Sequence, residues 1–189
     1  MSPNPPIDPD LSDAQDREWM RLAAAGDDAA FGRLVQKYQQ AMMNFFVRLG
    51  VRTDMEDLAQ ETFLRIHRYR ERYQPTAKFT TFLYMVARTA WLDRARKRGR
   101  YAAFQEAYGL HVAAEEQAAG RPEPDRPDLR AAMERLPEKL REILVLSVYE
   151  ELKYQEIATI LGIPEGTVKS RVHAAVAALR EQLRKEPPS

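Results

Sequence analysis

The chain contains no cysteine, three histidines and eight glycines among its 189 residues. Without thiols there is neither a disulfide nor a thiol nucleophile, and three scattered histidines do not make a zinc site. No glycine-rich phosphate loop or nucleophile–base pair stands out, so an enzyme is a distant reading and no cofactor or metal is expected. No stretch reaches the roughly eighteen uncharged apolar residues that a membrane-spanning helix requires, so direct membrane insertion is not expected. Residues 1–16 carry Asp8, Asp10, Asp13 and Asp16 with four prolines. A signal peptide needs a basic segment followed by an apolar one, which points instead to a cytoplasmic protein that folds by packing alone.

What remains is a 21.8 kDa chain, enough for one medium domain or two small ones, with 30% charged and 44% hydrophobic residues. Its net charge of +1 hides a segregation. Residues 78–100 carry seven bases against Asp93 alone, a net +6. Residues 53–61 hold Asp54, Glu56, Asp57 and Glu61 with no base, and residues 103–128 are again net −4. Blocks of opposite sign suggest several partners, a polyanion among them, although solvated helix faces would also read this way.

Almost every patterned segment is helical. Ser12 and Gln15 have capping-box spacing, Gly26 offers a stop and Asp27 a new cap. Phe31, Leu34, Val35, Tyr38, Met42, Phe45, Phe46 and Leu49 then follow the 3.6 period up to Gly50. Thr53 and Glu56 form a second capping box, opening a helix to about Tyr69. Another follows Pro75, from about Phe79 to Arg98. The pattern dissolves between Tyr101 and Pro127, where glycine, proline, alanine and acids accumulate, and this stretch reads as a linker. Helical periodicity resumes at Asp128, breaks at Pro137, and returns through Ile143–Tyr149, Tyr154–Leu161 and Glu165–Lys185. No alternating run argues for a sheet. The expected fold is all-α, with two small helical domains joined by a flexible acidic linker. The divisions are a disordered lead (1–15), a first domain (16–100), the linker (101–127) and a second domain (128–186).

The segment from Tyr154 to His173 has the spacing of a helix-turn-helix. Ile157, Ala158 and Leu161 stripe a short helix, Gly162 supplies a positive φ, and Pro164 can start the next helix. Val168, Val172, Ala175, Val176, Leu179 and Leu183 form one face of that second helix. Gly166, Ser170, His173 and Ala174 lie opposite, with Thr167, Lys169 and Arg171 on the flanks. Small and basic residues near the N-terminus of a second helix suit entry into a major groove. Lys169 and Arg171 can reach phosphates or guanine edges. An ordinary solvated helical hairpin is the competing reading.

Two upstream helices carry further surfaces. After Thr53, the residues Ala59, Thr62, Phe63, Ile66 and Tyr69 share an inward face. Asp57, Gln60, Glu61 and Leu64 lie outside, an acid-framed leucine suited to protein docking. On the Phe79 helix, Phe79, Phe82, Leu83, Val86 and Ala90 point inward, with Asp93 on that side to anchor an arginine. Tyr84, Arg88 and Trp91 lie opposite. Aromatics interleaved with bases, beside the 73–78 loop, suit a surface that stacks on unpaired bases. Alternatively this helix is sandwiched between two others, with Tyr84 and Trp91 in the core.

In this order, the segments resemble the extracytoplasmic-function (group IV) sigma factors of bacterial RNA polymerase, over about residues 16–185. Residues 57–63 are similar to the region 2 helix that binds core polymerase, residues 78–96 to the −10 element segment, and Leu136-Pro137 with the helix-turn-helix to region 4. The resemblance implies docking of Asp57, Gln60, Glu61 and Leu64 on the polymerase clamp. It implies −10 contacts from Tyr73, Lys78, Phe79, Arg88, Thr89, Arg96 and Arg98, with a base flipped into the 73–78 loop. It assigns −35 contacts to Glu165, Gly166, Thr167, Lys169, Ser170, Arg171 and His173, beside the polymerase flap. It implies an anti-sigma partner, no catalysis, and no small-molecule substrate. Phe82 stands where the family often has tryptophan, a size change within a stripe, and Thr89 where it often has asparagine, which leaves the flipped base undefined. The alternative is a free-standing helix-turn-helix regulator that binds an operator as a homodimer.

Overall fold

The computed structural model describes residues 9–107 and 127–185, with side chains over 12–100 and 129–184. Eight α-helices and no strand occur among the described residues. They are α1 (Pro9–Ala24), α2 (Asp28–Arg48), α3 (Met55–Tyr69), α4 (Phe79–Ala107), α5 (Pro127–Glu134), α6 (Glu138–Leu144), α7 (Tyr154–Leu161) and α8 (Glu165–Lys185). A 3₁₀ turn at Arg70–Arg72 follows α3, and a π-helical turn at Val145–Tyr149 follows α6.

Several boundaries form as local chemistry dictates. Gly26, at φ +97°, ends α1, and the Asp27 side chain accepts from the Ala30 N–H at 3.0 Å to start α2. Gly50, at φ +93°, turns the chain out of α2. Two expected caps are absent. α1 begins at Pro9, so Ser12 lies inside the helix and the 15/16 boundary falls within it; residues 1–8 lie outside the described residues. At α3 the N-cap is Asp54, in the left-handed region at φ 62°, and its side chain makes no cap. Its carboxylate is instead held by Arg94 and Arg98, and Arg98 also reaches Thr53. Charge from α4 has displaced the capping box.

α1–α4 pack around Met20, Leu34, Met42, Phe45, Phe46, Leu58, Ile66, Phe79 and Leu83, all essentially inaccessible. Burying each such side chain stabilises by roughly 1.5–3 kcal/mol. Tyr69, expected on the inward face of α3, is exposed at the end of the helix, and Leu58 is buried there instead. α4 runs to Ala107, past the expected stop at Arg98, so the linker's first residues are helical. Residues 108–126 lie outside the described residues.

α5–α8 enclose Met133, Leu136, Ile143, Leu146, Ile157, Ile160, Val168 and Ala175. α7 and α8 occupy the expected ranges, with Gly162 at φ +65° between them. The two helical domains touch. α7 lies against α4, and Tyr84 and Trp91 of α4 are buried. The sandwiched reading of α4 therefore holds at these two residues.

Candidate nucleic-acid and partner interfaces

On α3, Asp57, Gln60 and Leu64 are exposed, while Leu58, Ala59, Thr62 and Phe63 turn inward. Leu64, in mid-helix, is 43% accessible. It stands on the rim of a groove of about 750 Å³ between α2 and α3, with Phe31, Val35, Met43 and Phe63 lining it and Asp57 and Gln60 beside it. Glu61 is half-buried and accepts from Arg65 at 2.7 Å. Arg65 also donates to Asp93 of α4 at 2.8 Å, so Asp93 does anchor an arginine, at the surface and not in the core. The hydrogen bond from Arg65, with the nearby charges of Arg96 and Lys97, holds the Asp93 carboxyl below its ordinary range. The result is an apolar groove with an acidic rim.

The residues expected at the −10 element separate into three kinds. Thr89, Arg96 and Arg98 are exposed on α4. The Thr89 hydroxyl donates to the Met85 carbonyl, leaving its methyl group and lone pairs outward. Lys78 and Arg88 are engaged by the second domain: Lys78 stands 3.5 Å from Glu156, and Arg88 Nε donates to Glu142 at 2.6 Å. Phe79 is fully buried, which corrects its expected place among DNA contacts; its ring is core, packed near Tyr38 and Tyr73. Tyr73 stacks on Phe82 at 5.1 Å at the head of the 73–78 loop. Tyr69 and Met85 add exposed apolar surface alongside Phe82, with the Tyr69 and Phe82 rings 6.2 Å apart. The Tyr69 exposure was hidden in the sequence because its spacing continues the inward stripe.

In the helix-turn-helix, Glu165, Gly166, Lys169, Ser170, His173 and Ala174 are exposed, and Val168 and Ala175 are buried. This matches the opposed faces drawn from the sequence. Thr167 and Arg171 are half-buried. Ser170 Oγ donates back to the Thr167 carbonyl at 3.0 Å, which keeps its profile low. Arg171 acts on Glu142 closely enough to favour the ionised carboxylate, so part of its charge is used within the protein.

Sequence reasoning missed the residues that join the domains. Arg141 Nη1 donates to the Leu49 carbonyl at 3.1 Å, and its other nitrogens donate to the carbonyls of Met133, Glu134 and Leu136. Glu150 accepts from Tyr84 and pairs with Arg48, whose guanidinium also lies 4.4 Å from the Tyr149 ring. Arg52 meets Glu134 at 3.0 Å. Burial pushes the Glu142 and Glu150 carboxyls up despite these cations. It likewise raises the Tyr84 hydroxyl far above its ordinary range. Glu134, Glu142, Glu150 and Glu156 each meet a base of the first domain (Arg52, Arg88, Arg48 and Lys78), a pairing between distant segments that their spacing in the sequence does not mark.

Known proteins share this arrangement. Residues 34–101 match the model of Sigma-70 region 2, and residues 126–179 that of Sigma-70 region 4. The chain is 36% identical to the ECF RNA polymerase sigma factor SigW of Bacillus subtilis over 171 residues, spanning 84% of this chain and 91% of that protein. The chain belongs to the extracytoplasmic-function sigma factors of RNA polymerase. This family comprises promoter-specificity subunits without catalysis of their own. SigE of Mycolicibacterium smegmatis is 37% identical over 176 residues, covering 86% of this chain and 66% of that longer protein. The sigma-H factor of Pseudomonas aeruginosa is 31% identical, with 92% and 96% covered. A co-crystal structure of the sigma factor RpoE with the anti-sigma factor NepR from Bartonella quintana superposes with a TM-score of 0.69 at 26% identity, covering 83% of this chain and 98% of RpoE. In sigma-factor terms, α2–α4 form region 2 and α5–α8 form region 4. Among the described residues no acidic or histidine cluster could hold a metal, and no helix is long and apolar enough to cross a membrane.

Proposed function

We propose that this sigma factor docks on core RNA polymerase through the acid-rimmed groove of α2 and α3 and directs initiation from promoters read at −10 by α4 and at −35 by α8. The observation that carries the docking assignment is the exposed Leu64 beside a groove whose floor is apolar and whose rim holds Asp57 and Gln60. An apolar centre framed by acids fits a basic, partly apolar clamp surface and steers the encounter. Thr89, Arg96 and Arg98 supply the accessible part of the −10 surface, with Tyr73 and Lys78 bounding the melting loop. Glu165, Gly166, Thr167, Lys169, Ser170, Arg171 and His173 present the −35 surface. An anti-sigma partner follows by analogy with the RpoE–NepR complex, and the site of action is the cytoplasm, where polymerase and promoter DNA meet.

Competition for core polymerase tests the docking. Leu64→Asp and Asp57→Lys should each weaken binding by about tenfold or more, as truncating a docking hot spot does, with helical content unchanged. Normal competition by both variants would remove the groove from the interface.

A further inference from the structure

α1 lies outside the residues matched by region 2, which begin at 34, yet it holds the start of the promoter-facing helix. Asp13 is buried, and its Oδ1 accepts from the Phe79 N–H at 2.9 Å. Phe79 is the first residue of α4, so a carboxylate from a helix 66 residues away in sequence supplies its N-terminal cap. The other Asp13 oxygen pairs with Arg17. One turn along α1, the almost wholly buried Asp16 accepts from Tyr38 and Lys37, fastening α1 to α2. The same place bounds the 73–78 loop: the Tyr73 and Tyr38 rings flank Phe79 at 6.4 and 5.6 Å. A cavity of about 640 Å³ separates Arg17, Glu18 and Arg21 of α1 from Tyr73 and Pro75. The Tyr73 hydroxyl is buried there without a hydrogen-bond partner.

We propose that Asp13 is a positioning residue for promoter melting: by capping α4 across the fold, α1 fixes where the 73–78 loop stands when it meets the −10 strand. Region 2 without α1 would leave the Phe79 N–H, the first of α4, without its acceptor and Phe79 free to shift, and the 73–78 loop runs into that residue. The proposal rests on the reading of α4 and its loop as the −10 surface. It assigns to the N-terminal helix a part in recognition that needs no DNA contact of its own.

Open-complex formation with core polymerase and the full chain tests it, using Asp13→Ala and Asp13→Asn. Loss of a helix N-cap corresponds to about a fivefold change in an equilibrium. Asp13→Ala should therefore give about fivefold fewer open complexes on duplex promoter, read as permanganate reactivity of −10 thymines. Its affinity for core should be unchanged, and a template already melted around the start site should restore transcription. Asp13→Asn keeps an acceptor oxygen and should recover most of the loss. Wild-type melting by Asp13→Ala would overturn the proposal, as would an equal loss on the pre-melted template or a matching loss of core affinity. Failure of the wild-type chain itself to support promoter-directed transcripts would instead overturn the −10 reading beneath it.

Discussion

At the scale of single residues, the side chains proposed to face DNA differ in what else they do. Lys169 and His173 stand clear of the protein, whereas Arg171 is half-buried beside Glu142. A bidentate arginine–guanine pair discriminates by about 1–3 kcal/mol, while a phosphate contact weakens all sequences alike. Arg171→Ala should therefore lower transcription from −35-dependent promoters by about ten- to a hundredfold, with a dependence on one −35 base if the guanidinium reads an edge. Because Arg171 also stabilises the Glu142 carboxylate, that variant should lose some thermal stability as well; Lys169→Ala should not. A promoter panel scored beside melting temperatures separates the two roles. Equal activity of Arg171→Ala on every promoter would remove it from the recognition surface. On α4, Arg96→Ala with Arg98→Ala should flatten the salt dependence of open-complex formation, since fewer phosphates are neutralised. Arg98 gives up exposed contacts with Asp54 and Thr53, and Arg96 one with Asp93, so the fold should tolerate the change.

At the scale of elements, Gly50 and Gly162 both turn the chain between helices, and they are not equivalent. Gly162 sits at φ +65° with open space around the position of a β-carbon. Gly50 sits at φ +93°, and a β-carbon there would collide with the Arg141 guanidinium. Gly162→Ala should cost about 1–2 kcal/mol from backbone strain alone. Gly50→Ala should cost more, because it also displaces a cation bonded to four carbonyls. Chemical denaturation of the two variants checks the order, and equal losses would contradict it. The same elements show what a sequence can disclose. The α7–Gly162–α8 unit was legible to the residue because its turn, stripe and exposed face are all encoded within some thirty positions. Leu64 was legible for the same reason. The α3 capping box failed because Arg94 and Arg98, forty residues away, take the Asp54 carboxylate. Phe79 was both an inward-stripe residue and an expected DNA contact, and only packing against Tyr38 and Tyr73 decides between them.

At the scale of the whole molecule, region 4 covers part of the proposed −10 surface. Its carboxylates Glu142 and Glu156 occupy Arg88 and Lys78, while the docking groove and the outer face of α8 remain open. Exposed pairs such as Arg52–Glu134 contribute only about 0–1 kcal/mol. The contacts of the buried Glu150 side chain with Tyr84 and Arg48 therefore carry more of the closure. Glu150 faces Arg48 and Tyr84; Glu142 faces Arg88, Glu138 and Arg171. Both carboxyls titrate above their ordinary value of 4.5 in this closed arrangement, so the closed form binds protons more tightly than a separated one. Their contribution to closure is fully present below the ordinary value and is lost as pH rises through the raised one. Inter-domain distances from paired fluorophores should thus lengthen from mildly acidic to neutral pH, and Glu150→Arg should lengthen them at every pH by repelling Arg48. Distances independent of both would show that these carboxylates do not hold the domains together.

As a sigma factor, this chain should give RNA polymerase a promoter preference that the polymerase otherwise lacks. Run-off transcription with purified core polymerase and a randomised promoter library measures that directly. Transcripts should appear only when the chain is added, from templates that share one −10 and one −35 sequence at fixed spacing, and the chain alone should bind those duplexes poorly. Tight, polymerase-independent binding of a homodimer to a symmetric operator, with no promoter-selected transcripts, would contradict it.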